Sequence, residues 1–220
     1  PLQTFNFGAM SEPRSSLIGN THFNKETGTW FEESRFAKAI TGPNCILLDE
    51  LSRANSGAFN ILMPLLDHQR YLALDESEKS PVIQAHPMAC FMATANIGVE
   101  YTGTEVLDHA LLTRFSSIIE VPYPPESAEL KVLAGRCEGL DVKVAQKLVK
   151  LANAQRGLVT SGEMSTPIST RSLLEAGWRI AAGMDFASAC KFTILNLFSS
   201  DGNDTSERNQ VKMCLQKLGA

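Results

Sequence analysis

Short, almost uninterrupted apolar runs that each end in a polar residue constrain the fold of this chain more than any other feature. The run Cys45–Leu48 leads directly into Asp49 and Glu50, and the run Cys90–Ala95 leads into Asn96. Strands without alternating polar residues are typical of parallel sheets that are covered on both faces. We therefore predict that both runs are strands of one parallel sheet.

Two further segments are predicted to join this sheet. Leu2–Phe7 alternates in part, and Ser117–Val121 runs into the proline-rich segment Pro122–Pro125. Amphipathic helical patterns at Phe31–Ile40 and Ser56–Asp67 lie between the strands. Strands that alternate with helices predict a three-layer α/β unit.

Two segments interrupt this alternation. Gly19–Trp30 is polar and rich in turn-forming residues, which fits a hairpin or a loop inserted within a helix. Arg70–His86 has the pattern of strand, turn and strand, with its polar turn at Asp75–Pro81.

After Pro125 the chain carries only helical patterns, and Pro122–Pro125 marks a domain boundary. The predicted organisation is an α/β core over residues 1–124 and a small α-helical domain over residues 125–220. The predicted helices of the second domain are Ser127–Cys137, Val142–Arg156, Thr170–Ala182, Phe186–Ser199 and Ser206–Leu218.

Composition narrows the class of protein. The net charge of −4 does not favour a strongly basic nucleic-acid binder. The five cysteines form no CxxC pair, and we interpret Cys45 and Cys90 as reduced core residues of a cytoplasmic protein.

No apolar stretch of about 18 residues predicts a membrane span, and no signal peptide is visible. The start at Pro1 indicates a fragment or a trimmed chain.

The acids that follow the run Cys45–Leu48 are candidates for phosphoryl-transfer chemistry. Open α/β sheets bind their ligands at the carboxyl ends of the strands. There Asp49 could hold Mg²⁺, usually through water, and Glu50 could polarise an attacking water. A strand that runs into an acidic turn explains the same two residues equally well.

Three more polar residues could act at such a site, and each has an ordinary structural alternative. Asn96 could orient water or contact a γ-phosphate, but asparagine at a strand end is more often a turn former. Arg114 could reach the nucleotide of a neighbouring subunit, or it could pair with a local carboxylate. Arg171 opens a predicted helix, where the helix dipole disfavours a cation, so it either binds an anion such as phosphate or is simply solvated.

The order of these signals resembles that of the MoxR-type AAA+ ATPases, a group of P-loop NTPases whose α/β core is followed by an α-helical lid. The resemblance covers nearly the whole chain and fades after about Ala182. The matching positions are Asp49 and Glu50 at the end of Walker B, Asn96 as sensor 1, Arg114 as the arginine finger and Arg171 as sensor 2.

The two interrupting segments match one branch of that family. Gly19–Trp30 lies where the branch inserts a hairpin into helix 2, and Arg70–His86 lies where it places a hairpin before sensor 1. A run of short motifs also resembles this branch, which contains rubisco activators of the CbbQ type, gas-vesicle ATPases and the small subunit of cobalt chelatase. The run consists of Ala95-Asn96, Tyr101–Thr104 and Ala110–Phe115. Arg53 matches a basic position common after Walker B, or it makes a salt bridge at a helix start. Asn6 matches a polar residue that holds the catalytic glutamate away from water, or it is a polar strand end.

Two departures from the family pattern are visible. Thr113 stands before Arg114 where the family usually has aspartate, and no G-x-x-x-x-G-K-[ST] motif occurs anywhere in the chain. In the family, this P-loop, its strand and the next helix precede the strand that Leu2–Phe7 resembles. We therefore expect them upstream of Pro1, and we expect this chain alone to lack the main phosphate cradle and to hydrolyse ATP poorly.

The resemblance implies an ATP- and Mg²⁺-dependent enzyme that remodels a protein complex. Its expected partners are other copies in a homo-oligomeric ring, commonly a hexamer, and often a protein with a von Willebrand factor A domain. A nucleic-acid motor is one alternative, but Arg70–His86 offers only Arg70 and Lys79 as cations. A non-catalytic interaction module is the other alternative, which the missing P-loop leaves open.

Overall fold

The computed structural model describes residues 1–74, 82–96, 109–199 and 206–217. The chain divides into two compact units, Pro1–Ile119 and Glu120–Ala220. Each unit has a hydrophobic core of its own.

The first unit mixes strands and helices. Its elements are β1 (Leu2–Asn6), α1 (Pro13–Leu17), β2 (Gly19–Asn24), β3 (Gly28–Glu33), α2 (Arg35–Ile40), β4 (Cys45–Asp49), α3 (Ser56–Leu66), β5 (Tyr71–Ala73), β6 (Val82–Gln84), β7 (Cys90–Ala93) and α4 (His109–Leu112). A short 3₁₀ helix, Leu51–Arg53, connects β4 to α3. The predicted alternation of strands and helices is thereby confirmed, although α1 was not predicted.

A parallel three-stranded sheet of order β1-β4-β7 forms the centre of this unit. Phe5, Ile46 and Leu48 project from one face into the core. Among the described residues nothing covers the opposite, open face, where Leu2 is 58% exposed and Met92 is 44% exposed. The parallel strands predicted at these three places are confirmed, whereas the described residues supply the predicted cover on one face only.

Cys90 lies on the open face and is exposed, so the prediction that it belongs to the core is wrong. Its neighbour in register is Cys45, which is half-buried. Partial burial and the adjacent Cys90 thiol raise the pKa of the Cys45 thiol. Both thiols are free, as the sequence predicted.

Two antiparallel strand pairs interrupt the alternation of strands and helices along the chain. β2 pairs with β3, and a Cβ atom on Gly19 would stand 2.2 Å from the carbonyl oxygen of Glu32, so only glycine fits there. The helix predicted over Phe31–Ile40 is wrong at its start, because its first three residues belong to β3 and Ser34 caps α2. β5 pairs with β6 as predicted, and the turn predicted at Asp75–Pro81 lies outside the described residues.

The strand predicted at Ser117–Val121 is wrong, because the segment has no regular secondary structure and Ile119 is 81% exposed. A strand needs a neighbour that satisfies its backbone N–H and C=O groups. In the described part of the first unit, no strand lies beside β7 on its outer edge. The segment therefore has the apolar pattern of a strand, but the described residues contain no strand with which it could pair.

All regular secondary structure in the described part of the second unit is helical. Its helices are α5 (Glu126–Arg136), α6 (Val142–Thr160), α7 (Thr170–Ala181), α8 (Phe186–Thr193) and α9 (Glu207–Lys217), with a 3₁₀ helix at Leu195–Leu197. Side chains of Asp141, Ser169 and Asp185 cap α6, α7 and α8 at their first turns. None of the described helices is long and apolar enough to cross a membrane.

Candidate functional site

Thr94, which directly follows β7, holds the two acids at the carboxyl end of the neighbouring strand β4. The Thr94 hydroxyl donates to Asp49 Oδ1 at 2.6 Å and accepts from the Glu50 backbone N–H at 2.9 Å. Backbone hydrogen bonds on both sides, from Thr94 to Leu48 and from Leu51 to Thr94, extend the pairing past the end of β7. One hydroxyl therefore fixes both acids relative to the neighbouring strand.

Glu50 has a left-handed backbone conformation, with φ of 56° and ψ of 40°. A non-glycine residue in this region carries backbone strain, and such residues concentrate at functional sites. Here the conformation turns the chain from β4 into the 3₁₀ helix. Arg53 Nε then lies 4.0 Å from Glu50 Oε2, which is the helix-start salt bridge weighed as the alternative role of Arg53.

The carboxylate of Glu50 comes close to the loop that follows β1. A Cβ atom on Gly8 would stand 2.2 Å from Glu50 Oε2 and 3.3 Å from the amide oxygen of Asn6. That amide oxygen accepts a hydrogen bond from the Ala9 N–H at 3.0 Å. Asn6 and Glu50 therefore border the same small space, which a side chain on residue 8 would enter.

Asn96 lies at the same edge of the sheet, two residues after Thr94. Its backbone N–H donates to the hydroxyl of the buried Ser52, in the 3₁₀ helix, at 3.1 Å. Its side chain is exposed. The structure thus brings Asp49, Glu50 and Asn96 together, as the strand-end pattern predicts.

Arg114 is engaged locally. One guanidinium nitrogen lies 3.4 Å from Asp67 Oδ2, and another donates to the carbonyl oxygen of Ala110. Its Nε atom is buried and has no hydrogen-bond partner among the residues that the structure describes. Hydrogen bonds from His68 and, to a smaller extent, the charge of Arg114 lower the pKa of Asp67. The local carboxylate partner considered for Arg114 is therefore present.

Arg171 belongs to the second unit, in the first turn of α7. Its side chain is exposed, and the preceding Ser169 caps the helix by accepting from the Ser172 N–H at 3.1 Å. Within the described residues of this unit, its guanidinium makes no hydrogen bond and no ion pair. Among these residues the cation therefore stands at a helix start without an anionic partner.

The arrangement suits a magnesium ion that is bound mainly through water and phosphate. No cluster of three or more His, Cys, Asp or Glu side chains that could hold a metal is found in the described ranges. Asp49 offers one carboxylate, of which one oxygen already accepts from Thr94. Mg²⁺ in nucleotide sites usually keeps several waters and uses one or two carboxylates together with substrate phosphates. The residues present therefore fit Mg²⁺ in that mode.

Thr94 and Gly8 were not predicted as site residues. The signal for Thr94 is a hydroxyl near the end of an apolar strand, two positions before Asn96, although many strand threonines have no such role. The signal for Gly8 is absent from the local sequence, because its requirement arises from the approach of Glu50 across the sheet edge.

Comparison with known proteins gives two family matches. Residues 8–115 match the AAA domain of the dynein-related subfamily, and residues 129–212 match the CbbQ/NirQ/NorQ C-terminal family. The first range contains every candidate site residue of the first unit except Asn6, and the second contains Arg171.

Several curated proteins are similar over most of the chain. BssE of Thauera aromatica, named as a candidate chaperone, is 34% identical over 83% of this chain and 61% of its own length. Protein CbbQ of Hydrogenophilus thermoluteolus is 30% identical over 85% of this chain and 67% of its own length. CobS, an aerobic cobaltochelatase subunit of Sinorhizobium sp, is 26% identical over 83% of this chain and 58% of its own length. The chain therefore spans about three fifths of the length of these relatives.

Proposed function

This chain belongs to the MoxR-type AAA+ ATPases, and from that premise we propose that its full-length protein is a ring ATPase that remodels a protein complex. The observation that carries the proposal is the convergence of Asp49, Glu50 and Asn96 at one edge of the parallel sheet. That edge is where α/β proteins of this kind bind nucleotides. The proposed cofactors are ATP and Mg²⁺.

In the proposed reaction each acid has a separate role. Asp49 holds Mg²⁺, and the ion, when bound, neutralises charge on the phosphates. Glu50 polarises the attacking water, and Asn96 orients that water or contacts the γ-phosphate. Asn6 is proposed to hold the Glu50 carboxylate away from water between turnovers, because both side chains border the position of a Cβ atom on Gly8. The strained backbone at Glu50 aims the carboxylate toward this shared space.

The two arginines are proposed to act on nucleotide charge. Arg171 binds phosphate, because an exposed guanidinium without a local anion is available for that contact. Arg114 acts on the nucleotide of the adjacent subunit, and in the ring it exchanges Asp67 for that nucleotide. A contact of 3.4 Å in a partly exposed ion pair is weak enough to be replaced. Arg53 steers the Glu50 carboxylate from 4.0 Å.

We further propose that a segment upstream of Pro1 supplies the P-loop and covers the open face of the sheet. Parallel sheets are almost always covered on both faces. Here Leu2 and Met92 are exposed on one face, and β7 has no described strand on its outer edge. A P-loop strand beside β7, followed by a helix over this face, would remove both irregularities. In this organisation residues 1–124 form the AAA+ core and residues 125–220 form its lid.

The relatives suggest the general class of substrate. BssE is named as a candidate chaperone, and CobS is named as a subunit of a larger enzyme. By analogy we propose that the protein acts on a protein complex in the cytoplasm as a hexamer, with a von Willebrand factor A-domain protein as its partner. Native mass spectrometry of the full-length protein with ATP counts the subunits of the ring.

The proposal is tested by Glu50→Gln in the full-length protein. The amide keeps the shape of the side chain, so ATP binding should persist, while hydrolysis should stop because the water is no longer polarised. Glu12→Gln is a matched control, because Glu12 is exposed and makes no capping hydrogen bond. Turnover by Glu50→Gln within a few-fold of the wild type would remove Glu50 from this role.

A further inference from the structure

A buried ion pair in the second unit joins α5 to α6. Glu129 of α5 is fully buried, and each of its oxygens accepts a hydrogen bond of 2.9 Å from the guanidinium of Arg156 on α6. Such two-pronged, charge-assisted pairs are both strong and geometrically specific. A carboxylate taken this far from water requires a partner of this kind.

Beyond this ion pair, Arg156 makes two further contacts with residues outside α6. Its Nε donates to the carbonyl oxygen of Ile168 at 2.8 Å, in the loop that leads to α7. Its guanidinium carbon lies 3.9 Å from the centre of the Tyr123 ring, in the proline-rich segment by which the chain enters this unit. One side chain therefore contacts α5, the loop before α7 and the entry segment.

Glu129 completes the connection to α7. The hydroxyl of Thr170, the first residue of α7, donates to Glu129 Oε1 at 2.6 Å. The neighbouring Gln155 of α6 accepts from the Ile168 N–H at 2.8 Å, so the loop before α7 is held at two adjacent points. Thr170 directly precedes Arg171, so the backbone position of Arg171 is set by this network.

We propose that Glu129 and Arg156 are positioning residues that fix the first turn of α7, and with it Arg171, relative to the entry segment that contains Tyr123. This inference rests on the proposed function, in which Arg171 binds the phosphates of ATP. The Arg171 guanidinium has no polar partner among the described residues, so its direction depends on its backbone, and a shift of the helix start moves it away from its ligand. Glu129 and Arg156 are themselves buried, so the role proposed for them is to position Arg171 and not to bind the nucleotide.

The test is Arg156→Lys in the full-length protein, with fluorescent ATP binding as the readout. Lysine keeps the charge but cannot make two parallel hydrogen bonds to Glu129, bond to Ile168 and stack on Tyr123 at once. We expect ATP affinity to fall roughly ten- to hundredfold, the loss expected when a charge-assisted hydrogen bond to phosphate is broken. Arg179→Lys is the matched control, because Arg179 is an exposed residue near the end of the same helix. Its affinity should equal that of the wild type.

A double-mutant cycle separates positioning from general damage to the unit. If Arg156 acts through Arg171, then Arg156→Lys should have little further effect on ATP affinity once Arg171→Ala is present. If the two losses multiply, the positioning role is refuted. Thr170→Val removes only the hydroxyl that reaches Glu129 and should reproduce the effect in weaker form, which covers the case in which Arg156→Lys fails to fold.

Hydrogen exchange supplies a readout that does not need ATP. Amides of residues 166–173 should exchange faster in Arg156→Lys and Thr170→Val, but not in Arg179→Lys, while those of α8 stay unchanged. Unchanged exchange at residues 166–173 would overturn the positioning role by itself. A wild-type protein that does not bind ATP would instead refute the proposed function, and these two failures are distinguishable.

Discussion

Thr94 offers the sharpest test of the site geometry, because one hydroxyl contacts both acids. Thr94→Val keeps the shape and the branching of the side chain but removes the hydrogen bonds to Asp49 Oδ1 and to the Glu50 N–H. The valine also suits a strand end, so the sheet should survive. The perturbation is therefore confined to the relative positions of Asp49 and Glu50.

The expected effect on rate exceeds the expected effect on stability. Hydrogen bonds to charged groups contribute about 1.5–3 kcal/mol when shielded from water, but Thr94 is exposed and water can replace it, so we expect a stability loss of about 1 kcal/mol. A reacting group displaced by about 1 Å can lose about a hundredfold in rate, which is roughly 2.7 kcal/mol of barrier. The Glu50 backbone is already strained, which makes the loss of its N–H partner more disruptive.

The assay measures kcat for ATP, ATP affinity and the Mg²⁺ requirement of the full-length protein. If Thr94 acts through Glu50, kcat falls while ATP affinity is kept; if it acts through Asp49, the Mg²⁺ concentration needed for half-maximal rate rises. Thr94→Ser restores the hydroxyl and should recover most of the rate. Thr21→Val on the exposed β2 strand is the control for the chemical change. Wild-type kcat and Mg²⁺ dependence in Thr94→Val would refute the reasoning.

Three further predictions follow from the same geometry. Gly8→Ala should reduce ATP turnover with little change in melting temperature, because the added methyl would overlap the Glu50 carboxylate; unchanged turnover would show that this carboxylate moves away at no cost. Mixing full-length Arg114→Ala with full-length Glu50→Gln should restore part of the ATPase activity, because some interfaces then pair an intact Glu50 with an intact Arg114. No recovery in rings shown to exchange subunits would refute action between subunits. The pKa of Asp67 is lowered in the folded state, so its contribution to stability exists above the unfolded pKa and disappears as pH falls through the folded pKa. The melting temperatures of the wild type and Asp67→Asn should therefore converge as pH falls, and a constant difference down to low pH would contradict this.

The sequence was sufficient where a single local signal determines the element. Cys45–Leu48 is apolar at every position, which predicts a strand, and the acids that end it mark the carboxyl edge of the sheet. Asp141 before Val142 marks the start of α6 by supplying the side-chain oxygen that the first turn needs. These features require no knowledge of the rest of the chain.

The close contacts of the site could not be predicted in this way, because they depend on segments that are distant in sequence. The Glu50 carboxylate lies where a Cβ atom on Gly8 would be, because the pairing of β1 with β4 brings the two residues together. The buried pair of Glu129 and Arg156 appears in sequence as two ordinary charges on two amphipathic helices. Local sequence patterns predict the helices and strands, whereas the packing of these elements against one another determines which side chains are in contact.

The three main departures from the predicted core have a common physical cause. Cys90 is exposed although it lies in an apolar strand, Met92 is exposed beside it, and Ser117–Val121 does not form the strand that its pattern favours. A sheet face needs a covering layer, and a strand needs a neighbour. The upstream strand and helix of the proposed function would supply both at once, with the strand beside β7 and the helix over Cys90 and Met92. A chain extended upstream through that segment should therefore protect Cys90 from thiol reagents. Equal labelling of Cys90 in the extended chain and in this chain would show that the segment does not cover this face.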